Sequence, residues 1–344
     1  MSKSLIASHV AAMEGYTPGE QPKSRSVIKL NTNENPYPPT PKIAEALAAF
    51  DYRTLRRYPD PMGSALRRRV ADIHGCPEEC VFVGNGSDEV LALATRSFVS
   101  DGGSIGCFDP TYSLYPVLSE IRNVECRKVP LNDDFTWRTP PEDFSADLFF
   151  LTNPNAPTSV MYAKENIRTF CAKFSGVVLI DEAYADFAED NCMDLAVAEG
   201  NRNVIVSRTL SKSFSLAGIR TGYCVGPAEL IDAMYKVKDS YNLDGMTQVV
   251  ALAALNDLDW MRWNAAKIKT TRARVAAELK ARGWTMPESN TNFLFARPPD
   301  GQAASRFEAL RAMNIFVRYF KSTPEYLRIT IGTDEEMNSL LEQL

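Results

Sequence analysis

Apolar residues in this chain fall into short runs separated by stretches of helical spacing. Cys80-Val-Phe-Val83, Leu148-Phe-Phe-Leu151, Val177-Val-Leu-Ile180 and Asn203-Val-Ile-Val-Ser207 are compact runs, each followed by polar or small residues. Residues 104–108 form a weaker run of the same kind. Between them, residues 88–99 place Val90, Leu91, Ala94 and Phe98 on one helical face. Residues 43–50 and 64–74 read as two further helices. This alternation predicts an α/β fold whose mainly parallel sheet is covered by helices on both faces. Ligands of such sheets sit beyond the carboxyl ends of the strands, so the residues just after each run carry the candidate chemistry.

The pattern changes beyond residue 245. Residues 247–282 predict one long helix, followed by an apolar strand at 292–296, a helix over 302–313 and apolar runs at 315–317 and 326–331. This is the pattern of a small α+β domain. Residues 17–41 are rich in proline and polar side chains and predict an extended arm. The expected division is a large domain at 31–245 and a small domain made of 1–30 with 246–344.

Composition narrows the function classes. The 344 residues include 38 basic and 43 acidic side chains, for a net charge of −5. That balance disfavours general nucleic-acid binding, which needs basic surface. A hydrophobic content of 45% excludes a disordered chain. Two histidines, His9 and His74, cannot build a three-histidine metal site. The seven cysteines contain no CxxC pair, and Cys76 and Cys80 have no second pair to complete a zinc site, so reduced thiols are expected. No apolar run approaches the ~18 residues of a spanning helix. Residues 1–21 lack the apolar centre of a signal peptide. The expectation is a cytoplasmic protein with no membrane or nucleic-acid partner and no metal.

Four strand ends carry chemistry. Gly84-Asn-Gly-Ser-Asp-Glu89 is a glycine turn opening a helix, whose free N–H groups favour an anion. Asp88 and Glu89 also suit the helix dipole, and the turn could be only a turn. Asn153-Pro-Asn-Ala-Pro-Thr158 is an unusual polar loop. Asp181-Glu-Ala-Tyr184 puts a carboxylate at a buried strand end, which calls for a cation or a capping role. The stretch from Ser207 to Arg220 holds Lys212 among Leu210, Phe214 and Leu216. Desolvation there would lower the lysine pKa and make its amine nucleophilic. An attachment lysine, a carboxylate for a pyridine nitrogen and a set of phosphate donors suit pyridoxal phosphate. Ser87, the amides near Gly86, Ser211 or Thr209, and Arg220 are candidates for its phosphate. A nicotinamide reading rests on the glycine turn alone and lacks the third glycine.

These motifs resemble those of fold-type I pyridoxal-phosphate aminotransferases, most closely the histidinol-phosphate aminotransferase family. The resemblance covers nearly the whole chain. It runs through Tyr16-Thr-Pro-Gly19, Leu30-Asn-Thr-Asn-Glu-Asn-Pro-Tyr37, Arg57-Tyr-Pro59, Gly84-Asn-Gly-Ser-Asp-Glu89, Asp109-Pro-Thr-Tyr112, Asp181-Glu-Ala-Tyr184, Thr209-Leu-Ser-Lys212 and Leu327-Arg-Ile-Thr-Ile-Gly332. It implies Lys212 as the Schiff-base lysine and proton shuttle, Asp181 as the pyridinium partner, and Tyr184 as a donor to the cofactor 3′-oxygen. It implies Tyr112 as the ring stacked on the pyridine, and Gly86, Ser87, Asp88, Thr209, Ser211 and Arg220 around the phosphate. Tyr58 resembles a residue that reaches that phosphate across a homodimer interface, so shared sites are expected. Tyr16, Asn33, Arg318 and Arg328 are the implied substrate residues, the arginines because their planar forks suit carboxylate and phosphate alike. Tyr241-Asn242 matches a family stretch with no role derivable from the residues.

One departure stands out. The family carries Asn before Pro-Thr-Gly, where it bonds the 3′-oxygen. Here that position is Ala156, and the following glycine is Ser159. Asn155 is the candidate substitute, unless Tyr184 serves alone. The implied reaction is ping-pong transfer between L-histidinol phosphate and 2-oxoglutarate. Aromatic amino-acid transamination and threonine-phosphate decarboxylation remain open on the same scaffold.

Overall fold

The computed structural model describes residues 5–22 and 26–344. Residues 1–4 and 23–25 of the expected small-domain segment lie outside the described residues.

Seven strands form the main sheet, in the order Val81–Gly84, Gly222–Val225, Val204–Thr209, Val177–Asp181, Leu148–Thr152, Ser104–Asp109, Glu125–Pro130. Gly222–Val225 is antiparallel to both neighbours, and the other pairings are parallel. The central strands are apolar throughout because helices cover both faces. Phe149, Leu151, Val178, Ile180 and Val206 pack on one side, and Leu148, Phe150, Leu179 and Ile205 on the other. That is the two-residue alternation of a strand with both faces dry.

The runs read from sequence appear as strands at Val81–Gly84, Ser104–Asp109, Leu148–Thr152, Val177–Asp181 and Val204–Thr209. Two strands carry no comparable signal. Gly222–Val225 is too short to stand out, and Glu125–Pro130 is a charged edge strand, as solvent-facing edges often are.

The C-terminal residues build a second, three-stranded antiparallel sheet of Arg318–Tyr319, Leu327–Thr330 and Phe293–Ala296. Ile28–Lys29, in the arm, pairs with Ile315–Phe316. Leu30 then packs with Phe293, Leu327 and Ile329 and with Ile268, Val275 and Leu279. The long helix expected over 247–282 is instead two, Gly245–Leu255 and Leu258–Ala281. Asn256 and Asp257 interrupt it, both poor helix formers, and Asp257 turns outward to pair with Lys42 at 3.4 Å. Val250, Ala251, Ala254 and Leu255 of the first helix pack with Leu66 and Val70 in the main-sheet core, whereas Ala265 and Ile268 of the second belong to the small-sheet core. Leu258 and Met261, at the start of the second helix, still pack against the main-sheet core, so the apolar packing changes partner within that helix.

The candidate active site

The carboxyl ends of the parallel strands open into a cleft enclosing about 890 Å³, part of it open to solvent. Asp181 ends its strand there. Its Oδ2 accepts from Tyr115 at 2.9 Å, and its Oδ1 accepts from the Ala183 N–H at 3.2 Å and the Ser207 hydroxyl at 3.3 Å. These bonds orient the carboxylate without neutralising it. Burial outweighs them and pushes its pKa up to about 6, with the Asp88 charge adding to the rise.

Lys212 lies three residues past the strand Val204–Thr209. Its Nζ donates to Thr32 O at 3.1 Å and stands 5.9 Å from the Tyr184 ring centre. Burial lowers its pKa to about 8, helped by the Arg328 cation and less by Arg220, against the pull of Glu34 and Asp88. The Lys212 loop is held from below and from the arm. Ser213 donates to Asp186, which with Glu182 pairs buried Arg208, and Asn35 Nδ2 donates to Lys212 O and Ser213 O at 3.2 and 3.1 Å.

At the other end of the cleft the helix Ser87–Phe98 begins. Gly86 precedes it at φ +83°, and a Cβ there would lie 2.8 Å from Arg220 Nη2. Close approach and left-handed backbone together require glycine. Arg220 reaches Ser211 Oγ at 3.3 Å and Asp88 at 3.1 Å, and Asp88 also accepts from the Tyr112 hydroxyl at 3.2 Å. Tyr16 meets Tyr112 edge-on, with ring centres 6.0 Å apart. Thr209 lines the cleft and accepts the Ser211 N–H at 3.1 Å.

The small sheet supplies the remaining wall. Arg318 and Arg328 are direct cross-strand partners. Like charges in that register repel unless an anion lies between them. Phe320 lies under both guanidinium groups, at 5.3 and 5.2 Å. Arg318 ties down the arm through Thr17 O and Pro18 O at 3.0 and 3.3 Å. Arg328 Nη2 donates to Asn31 O at 3.0 Å, while its buried Nε has no partner among the described residues. Tyr184 closes the floor, accepting from Asn33 Nδ2 at 2.8 Å.

Of the residues named from sequence, Tyr16, Asn33, Ser87, Asp88, Tyr112, Asp181, Tyr184, Thr209, Ser211, Lys212, Arg220, Arg318 and Arg328 line this one cleft. Asn155 does not. Its Nδ2 donates to Pro110 O at 3.1 Å and Thr158 Oγ1 at 2.9 Å, so its carboxamide ties its loop to the segment after Asp109, and Ala156 faces the cleft instead. Tyr58 also lies elsewhere, 80% exposed and stacked on Tyr241 with ring centres 4.4 Å apart. Asn242 bonds Val83 O and Glu89 and so braces the glycine turn from behind. Sequence reasoning missed Tyr115, Ser207 and Asn35. For Tyr115 the only signal was its spacing of three from Tyr112 at a helix start.

Ser159, at the family's glycine position, carries a left-handed φ of +67°. It is fully buried and its hydroxyl has no partner among the described residues. Backbone strain and an unmade hydrogen bond each cost about 1–3 kcal/mol. Ser159→Gly should therefore raise the melting temperature, and a lower one would show the hydroxyl to be satisfied.

Residues 25–344 match the family model described as Aminotransferase class I and II. A protein from Geotalea uraniireducens named histidinol-phosphate aminotransferase is 42% identical over 343 residues, covering 98% of each chain. One from Nostoc sp. named histidinol-phosphate aminotransferase 1 is 41% identical over 98% of this chain and 96% of its own. Among solved structures, the histidinol-phosphate aminotransferase of Sinorhizobium meliloti in complex with pyridoxal-5′-phosphate shares the fold at TM-score 0.87 and 23% identity, covering 99% of this chain and 96% of its own. The L-threonine-O-3-phosphate decarboxylase of Porphyromonas gingivalis shares it at TM-score 0.80 and 19% identity, covering 92% and 98%. This fold therefore does not separate transfer from decarboxylation, but near-full-length identity above 40% does assign a family: the chain belongs to the class I and II aminotransferases and, within them, to the histidinol-phosphate aminotransferase family.

Proposed function

We propose that this protein is a pyridoxal-phosphate-dependent transaminase acting on L-histidinol phosphate and 2-oxoglutarate, in the cytoplasm and in histidine biosynthesis. The observation that carries the reading is one cleft holding a buried Lys212, a buried Asp181 and the facing pair Arg318 and Arg328. Asp181 is a buried carboxylate with neutral donors and, among the described residues, no cation paired to it, which suits a protonated ring nitrogen. The cradle at Gly86, the helix start at Ser87 and the cations and hydroxyls of Arg220 and Ser211 suit a phosphate. When bound, the cofactor supplies an electron sink for the charge left at substrate Cα. Lys212, largely unprotonated above about pH 8, accepts the Cα proton. Arg318 and Arg328 hold the anionic end of either substrate, the phosphate ester of histidinol phosphate or the carboxylate of glutamate.

A homodimer fits the same reading. Tyr58, Tyr52 and Leu55 are exposed aromatic and aliphatic side chains on one short stretch away from the cleft. A second copy covering them would bring Tyr58 toward its own phosphate end.

The test offers histidinol phosphate, phenylalanine and threonine phosphate separately, and measures glutamate formed from 2-oxoglutarate together with carbon dioxide released. Histidinol phosphate is expected to be the preferred donor, without carbon dioxide. Preference for phenylalanine makes the enzyme an aromatic aminotransferase, and carbon dioxide from threonine phosphate makes it a lyase. Arg328→Met should raise KM for histidinol phosphate by about 10²-fold or more, the loss of a charge-assisted anion contact. An unchanged KM would remove Arg328 from the substrate site.

A further inference from the structure

Tyr184 can serve a cleft ligand only with whatever hydrogen-bonding capacity its other contacts leave it. Its oxygen accepts from Asn33 Nδ2 at 2.8 Å, so its own proton stays free to point into the cleft. That matters here because Ala156 presents a methyl group where the family carries a donor, and the Asn155 carboxamide is taken up by Pro110 O and Thr158 Oγ1. The orientation of Asn33 then decides what Tyr184 can do. A carboxamide rotated by half a turn would present Oδ1 to the phenol and take its proton away from the cleft.

Thr330 disfavours that rotation. Its hydroxyl accepts the Asn33 backbone N–H at 3.1 Å, which leaves one proton to give. It gives that proton to Asn33 Oδ1 at 2.9 Å. Rotation would take that acceptor away from the Thr330 proton, so the arrangement with Oδ1 facing Thr330 and Nδ2 facing Tyr184 is the favoured one. The backbone of Asn33 is fixed as well, because Asn292 Nδ2 donates to its carbonyl at 3.0 Å. Asn33, Asn292 and Thr330 are all buried, so no solvent competes for these groups. Arg328 lies two residues before Thr330 on the same strand, and its Nη2 holds Asn31 O at 3.0 Å. The strand that binds the substrate anion is thus the strand that sets the carboxamide.

We infer that Thr330 is a positioning residue of the transamination site, acting through Asn33 to keep the Tyr184 proton directed at the cofactor's 3′-oxygen. The inference rests on the cofactor reading above. A donor to a negatively charged oxygen favours the less protonated state of the group it touches. Loss of that donor should therefore raise the pH at which the Lys212-linked cofactor gives up its proton. The charged groups facing Lys212 and Tyr184 are Arg328, Arg220, Glu34, Asp88 and Asp181, and none is altered by a change at Thr330.

The experiment loads wild type, Thr330→Val, Thr330→Ser and Tyr184→Phe with pyridoxal phosphate and titrates the visible absorbance of each against pH. Thr330→Val should move the midpoint upward by about one unit, in the same direction as Tyr184→Phe. Thr330→Ser should titrate as wild type, and kcat of Thr330→Val should fall more than its KM rises. Asn33→Ala, which deletes the carboxamide, should reproduce the shift and answers the question if Thr330→Val does not fold. A Thr330→Val or Asn33→Ala midpoint equal to wild type, while Tyr184→Phe moves, overturns the inference. So does a Thr330→Ser midpoint displaced as far as that of Thr330→Val. A wild-type protein that forms no Lys212-dependent absorbance band sinks the cofactor reading itself, which is a different result.

Discussion

Lys212→Ala is expected to lose transamination by on the order of 10⁴-fold or more, because in the proposed function one side chain supplies both the covalent attachment and the proton transfer. The cofactor-loaded variant should also lack the borohydride-reducible absorbance that a lysine linkage gives. A retained reducible chromophore would transfer the assignment to another lysine. The same amine leaves a mark on the cofactor-free protein. An ordinary lysine titrates at 10.5 and Lys212 near 8, a difference corresponding to about 3 kcal/mol. The group is a base whose folded pKa is lowered. Above about pH 10.5 it is neutral in both states and costs nothing. As the pH falls toward 8 the unfolded chain takes up the proton first, so the native state loses ground, and below about 8 the loss is complete. Cofactor-free Lys212→Met should escape that loss and melt higher than wild type near neutral pH. Equal melting profiles across this window would mean that the cleft solvates the amine well.

Strand ends were the legible part of this site. The four motifs after the apolar runs converge because strand direction forces them to one edge of the sheet, and that follows from a pattern of short buried runs. What was not legible is how each group is held. Tyr115 reaches Asp181 only because the helix Leu114–Arg122 packs across the sheet, and nothing in its neighbours announces that contact. Thr330 and Asn33 lie 297 positions apart, and their two hydrogen bonds depend on pairing between the arm and the small sheet. Asn155 shows how a neighbouring position can differ. Ala156 suggested a vacancy to be filled, but the carboxamide of the preceding residue bonds Pro110 O and Thr158 Oγ1 and does not line the cleft. The helix break at Asn256 and Asp257 was written in two poor helix formers, and the strong apolar periodicity on either side concealed it.

The chain holds only His9 and His74, and His74 is occupied elsewhere, bonded to the Tyr223 hydroxyl at 3.0 Å with burial holding its pKa at about 4. In the proposed function, proton transfer in the cleft therefore falls to a lysine tuned by burial and by Arg328, the guanidinium proposed to meet the substrate. On that reading substrate binding and base strength share one residue. An anion bound at Arg328 offsets its charge, which weakens its hold on the Lys212 pKa and raises the affinity of the amine for a proton.

Asp181→Asn should separate the cost of this site from its use. The carboxylate titrates near 6 rather than at an ordinary aspartate's 3.8, which corresponds to about 3 kcal/mol. It is an acid whose folded pKa is raised, so its contribution is most favourable below about pH 3.8, where it is protonated in both states. Stability is lost as pH rises from there through 6, and the loss is complete above 6. In the cofactor-free protein, Asp181→Asn should melt higher than wild type at neutral pH, and the advantage should shrink as the pH falls toward 4. The ordering should reverse in function. An amide cannot hold a proton on a ring nitrogen, so kcat should drop by on the order of 10³-fold, the scale for removing a charge-stabilising group from an enclosed site. Addition of pyridoxal phosphate should also raise the melting temperature of wild type more than that of the variant, because only the carboxylate gains a cationic partner. Parallel melting profiles with and without cofactor, or activity retained within a few-fold, would show that Asp181 is a structural cap on its strand end.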